Sequence, residues 1–170
     1  MGEWSFVSEG WKTVSLHDHC VTRTEEVGPD LVLHFEEDGF DITRDDPLNP
    51  TGRHRNTGPA AVVLKHWRWE RGAFGPNCFR EVRLDNGEKE YIPLPVVPIS
   101  KNQFLRGLEL EVLDFTWEEG VLTLEGSGFL DPPPPGSETG FVEIVLSGQR
   151  LLFCWNELPR DSWFQDWPKN

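Results

Sequence analysis

The chain has 170 residues with 16 basic and 29 acidic side chains, a net charge of -13; this argues against nucleic acid and anionic membranes, which both call for a positive face. The length suits one domain spanning residues 1–170, and an apolar content of 37%, with 8 Trp and 11 Phe, is enough for a core. Three scattered cysteines (Cys20, Cys78, Cys154), the absence of a signal-peptide pattern at Met1-Gly2-Glu3-Trp4 and the lack of a long apolar run together imply a soluble, cytoplasmic protein with reduced thiols.

Short strand-like runs bounded by turn residues recur along the chain, and no long stretch has helical apolar spacing. Cys20 to Val27 and Leu31 to Phe35 read as a hairpin around Gly28-Pro29-Asp30, with Leu31, Leu33 and Phe35 facing the core. Asp38-Gly39 is the next turn, and Phe40-Asp41-Ile42 starts a third strand. Residues 44–59 read as an exposed loop. Ala60 to Glu70 reads as one long strand with Trp67 and Trp69 on one face. Phe79 to Leu84 and Glu88 to Ile92 form a hairpin around Asn86-Gly87. Residues 93–98, with Pro93, Pro95 and Pro98, suit an edge, and Ser100 to Gly107 a short helical turn.

Leu108 to Phe115 and Val121 to Leu124 pair around Trp117-Glu118-Glu119-Gly120. Pro132 to Pro135 is a polyproline loop tip. Phe141 to Leu146 and Arg150 to Trp155 read as a last hairpin, followed by a Trp-rich tail that packs over one end of the sheet. The segment around Glu25-Glu26 and Gly28 echoes that around Glu118-Glu119-Gly120; two related halves and two hairpins that share a turn solution both account for it. The expected fold is all-β, an antiparallel β-sandwich or partly open β-barrel of about eight to ten strands with at most short helical turns.

Charge is unevenly spread: residues 1–50 and 107–170 are acidic, and residues 51–106 are basic. The basic middle either pairs with the acidic ends across the sheet or builds an anion site from Arg53, His54, Arg55, Lys65, Arg68 and Arg71. His17-Asp18-His19 is the sharpest local motif. On a strand, residues i and i+2 share a face, so His17 and His19 could hold one metal ion; hydrogen bonds at a strand start are the plainer account. Leu16-His17-Asp18 and Asp38-Gly39-Phe40 resemble a pattern in uncharacterised bacterial proteins, over about the first quarter of the chain, and the resemblance implies no chemistry.

Trp67-Arg68-Trp69 could offer a stacking platform for a sugar, or simply fill core. No GxSxG elbow, P-loop or GxGxxG is present, so neither nucleophilic catalysis nor a cofactor is expected. The sequence favours a non-enzymatic binding module that presents an acidic surface to a basic protein partner, an immunity-type role against a basic toxin being one form. The alternatives are a sugar or anionic-metabolite binder using Trp67, Trp69, Arg53 and Arg55, and a metal-dependent enzyme using His17 and His19.

Overall fold

The computed structural model describes residues 3–76, 79–134 and 138–167. Met1, Gly2, Cys78, Pro135 and the final residues 168–170 lie outside the described residues. In chain order the strands begin with β1 (Phe6–Ser8), β2 (Val14–Ser15), β3 (His19–Val27), β4 (Asp30–Phe35), β5 (Asp41–Ile42), β6 (Arg55–Asn56), β7 (Ala60–Lys65) and β8 (Arg68–Pro76). They continue with β9 (Phe79–Arg83), β10 (Lys89–Pro93), β11 (Val97–Pro98), β12 (Leu108–Glu118), β13 (Val121–Leu130), β14 (Thr139–Ser147), β15 (Arg150–Trp155) and β16 (Arg160–Asp161). The α-helix α1 (Lys101–Gly107) begins with a capping box: Ser100 accepts from the Gln103 N–H, and the Gln103 side chain accepts from the Ser100 N–H. Among the described residues, no helix is long and apolar enough to cross a membrane.

Ten strands form one antiparallel sheet in the order β1-β15-β7-β4-β3-β12-β13-β14-β8-β11. β7 and β8 are joined by only His66 and Trp67, yet five strands lie between them in that order. Six flat strand spacings would cover roughly 29 Å, far beyond the reach of so short a link. The sheet therefore rolls over on itself without closing. Phe115 on β12 and Phe153 on β15 confirm the roll, their rings meeting at 6.0 Å across four strand positions. The all-β antiparallel expectation holds.

Alternation sets the core. Leu31, Leu33 and Phe35 point inward with Val62, Leu64, Leu110, Leu124, Ile144 and Phe153. The opposite face of β4 is covered too: Val32 joins Ala61, Val63 and Cys154 under Trp4. Two-residue turns fix the main hairpins. Glu119 and Gly120 both have positive φ, as a type I′ turn requires, and Gly28 takes the positive-φ position before Pro29. The hairpins that echo each other in sequence lie side by side, β3 pairing antiparallel with β12. Each has an irregular register in its first strand, between Val21 and Arg23 and between Val112 and Asp114. Beside the second, a Cβ on Gly126 would sit 1.9 Å from the Glu111 carbonyl oxygen, so only glycine fits.

Three sequence expectations are corrected. Ala60 to Glu70 is not one strand: His66 adopts φ 50, and Asp30 holds the corner by accepting the His66 N–H (3.0 Å) and pairing with Lys65. β14 and β15 do not form a hairpin; they sit on different parts of the rolled sheet, β15 pairing with β7 and β1. Residues 44–59 are not simply an exposed loop. Asp46, Asn49, Asn56 and Thr57 are buried, and the Asn49 amide donates to the Thr43 and Arg53 carbonyls in place of a backbone ladder. The second sheet, β16-β6-β5-β2, grows from this segment and ties the C-terminal tail to the N-terminal region.

Candidate functional site

The outer face of β3, β12, β13 and β14 is the most distinctive surface. Register places side chains in rows across it. Cys20 stands opposite Glu111, Ser127 opposite Phe141, and Glu109 opposite Phe129. A further row sets Asp114 against Glu125 and Glu125 against Glu143. Directly opposed like charges destabilise a strand pair. Arg71 offsets part of this row through a 3.2 Å contact with Glu143.

Phe129 and Phe141 are 37% and 48% exposed among these carboxylates. Two hollows of about 220 and 270 Å³ open on the same face and share Thr22, Glu109 and Phe129. Cys20, Glu36 and Glu111 line the second, and Arg23 and Arg106 border the first. Burial, followed by the charges of Glu36, Glu111 and Glu109, pushes the Cys20 thiol up to about 11. A thiol so held stays protonated at neutral pH and is a poor nucleophile. This face thus combines opposed carboxylates with partly exposed aromatic rings.

The sequence-predicted residues fall elsewhere. His17 sits in the turn before β3, and Asp18 between the two histidines has φ 64, so the i, i+2 argument fails. His17 Nδ1 lies 2.7 Å from the Leu113 carbonyl oxygen, whereas His19 is buried with Nε2 2.7 Å from Asp41. Asp41 also accepts from Ser162 Oγ at 2.9 Å and Asn56 Nδ2 at 3.3 Å. This network joins β3, β5, β6 and the tail; the serine meets the carboxylate rather than the imidazole, unlike a nucleophile–base pair. Among the described residues, no three His, Cys, Asp or Glu side chains converge to hold a metal ion.

Trp67 and Trp69 are half-buried against Phe104 of α1, with ring centroids 6.1 and 5.2 Å away, and Lys101 caps Trp67. Arg53 and Arg55 instead grip Asp161, at 2.7 and 2.8 Å, in the second sheet. Their hydrogen bonds lower the Asp161 carboxyl to about 2. The four residues thus serve two separate packing tasks. The basic middle pairs with both acidic ends, as Arg53 and Arg55 with Asp161, Lys65 with Asp30, Lys101 with Glu26 and Arg71 with Glu143 show. The acidic sheet face escaped sequence reasoning because its rows exist only once strand registers are known.

Compared with protein-family models, curated proteins and solved structures, the chain matches none.

Proposed function

We propose that this chain is a binding protein that presents the outer face of β3, β12, β13 and β14 to a basic protein partner. The observation that carries the reading is the row Asp114, Glu125 and Glu143, three carboxylates opposed across adjacent strands. Such a row costs stability in the free protein, and a Lys- or Arg-rich segment laid across it would relieve the repulsion. Phe129 and Phe141 supply apolar contact beside the charges, the mix expected of an interface centre with a polar rim. The net charge of -13 would steer a cationic partner toward the chain from a distance.

The test is affinity capture from native lysate at low and high salt, with wild-type chain and with a Glu111→Lys, Glu125→Lys double variant. The expected result is a basic protein retained by wild type at low salt, released by salt, and absent with the variant. Binding of a Lys/Arg-rich peptide, followed by calorimetry, should show the same dependence. Identical recovery and identical peptide affinity for both chains would overturn the proposal.

A further inference from the structure

The C-terminal segment is held by polar anchors rather than by burial of its rings. Ser162 donates its hydroxyl to Asp41 and its N–H to the His54 carbonyl, both at 2.9 Å. Gln165 Oε1 accepts the His54 N–H, and Asp161 takes both Arg53 and Arg55. These bonds fix the backbone yet leave Trp163 and Trp167 47% and 64% exposed. Burying an aromatic ring of this kind would remove roughly 150–250 Å² from water, so two open indoles are costly.

Their geometry is defined. The ring centroids are 4.8 Å apart and the planes stand at 90°, forming a corner. Phe164 backs Trp163 edge-on at 5.4 Å, and its own ring packs at 5.0 Å from His54. His17 borders the corner, 6.4 Å from Trp163. Two other indoles already have a cation of the chain's own: Lys12 lies 5.7 Å from the Trp11 ring and Lys101 4.9 Å from the Trp67 ring. Among the described residues, none lies over Trp163 or Trp167. Arg53, which anchors the same segment, is committed to Asp161 and approaches Asp166 at 3.8 Å.

We infer that the Trp163–Trp167 corner is a binding site for a small methylated ammonium ion of the choline type. The face of an aromatic ring attracts cations, and two faces at right angles contact a rounded cation from two sides. A flat sugar ring would stack on one face only. The chain's net charge of -13 favours the cation further.

The experiment titrates the full chain with choline chloride and follows indole N–H signals by NMR, Trp163 and Trp167 being assigned from Trp163→Leu and Trp167→Leu. Sodium chloride controls for ionic strength, and 3,3-dimethyl-1-butanol serves as the neutral isostere. Saturable shifts confined to these two indoles are expected, with choline binding roughly tenfold more tightly than the isostere. Trp167→Leu should lose that preference while its far-UV circular dichroism stays unchanged. Equal affinity for the isostere, or a choline response that survives in a folded Trp167→Leu, would overturn the inference. So would saturable binding of glucose in the absence of any choline response.

Discussion

Asp41 Oδ2 lies 2.7 Å from His19 Nε2, with both side chains withdrawn from water. Asp41 therefore joins distant stretches of sequence, since it also accepts from Asn56 and from Ser162, the latter 121 residues away. Asp41→Ala should destabilise the fold by about 3 kcal/mol, because buried polar partners lose their acceptor. Ser162→Ala should cost about 1 kcal/mol, and His17→Ala close to nothing. Urea denaturation checks all three. A large loss in His17→Ala would contradict its placement in an exposed turn.

Phe104 is the buried ring on which Trp67 and Trp69 lean. Phe104→Ala should cost about 3–5 kcal/mol and shift tryptophan emission to the red as both indoles lose their support. Differential denaturation with fluorescence detection tests this. A stacking platform independent of the core would give neither effect.

The Asp161 carboxyl is lowered to about 2 by Arg53 and then Arg55, below its unfolded value of 3.8. A carboxyl depressed in the folded state contributes stability that is complete above the unfolded value. The contribution is lost as pH falls through the folded one. The stabilising contribution of the tail anchor should thus be complete above about pH 4, shrink as pH falls from 3.8 toward about 2, and be lost below about pH 2. Carboxyl NMR titration reads the midpoint directly, and Arg53→Ala should move it up toward the ordinary range.

Burial and the neighbouring Glu36, Glu111 and Glu109 hold Cys20 near 11. Alkylation of folded protein by iodoacetamide at pH 8, mapped by mass spectrometry, should leave Cys20 mostly unmodified. The rate should rise steeply as pH approaches 11. Glu36→Gln should speed labelling at pH 8 by removing a hydrogen-bonded charge. Fast labelling of the wild-type thiol at pH 8 would contradict this environment.

Local chemistry was legible in the sequence wherever one segment decides its own structure. Alternation at Leu31, Leu33 and Phe35, the Asn86-Gly87 turn and the short helical turn between Ser100 and Gly107 are all realised. Features set by distant partners were not legible. His66 breaks a continuous apolar run because Asp30 captures its N–H from a neighbouring turn. Phe141 to Trp155 looks like a hairpin, but the roll of the sheet gives β15 other neighbours. The His-Asp-His motif depended on extended backbone that Asp18, at φ 64, does not adopt. The acidic rows needed register, including the shift between Val112 and Asp114 that brings Asp114 opposite Glu125.

That register makes Glu125 the most informative position on the proposed interface. It is the middle carboxylate, facing Asp114 on one side and Glu143 on the other. Arg71 relieves only Glu143. Glu125→Gln removes both repulsions while keeping shape and β pairing, so the free protein should gain up to about 1 kcal/mol. The same change removes one attractive charge for a cationic partner, so affinity for a Lys/Arg-rich peptide should fall and its salt dependence flatten. The two effects have opposite sign, which separates a surface kept for binding from one kept for stability. Urea denaturation and calorimetry on the same preparation measure both. A less stable Glu125→Gln, or unchanged peptide affinity, would mean that the carboxylate row serves the fold and not a partner.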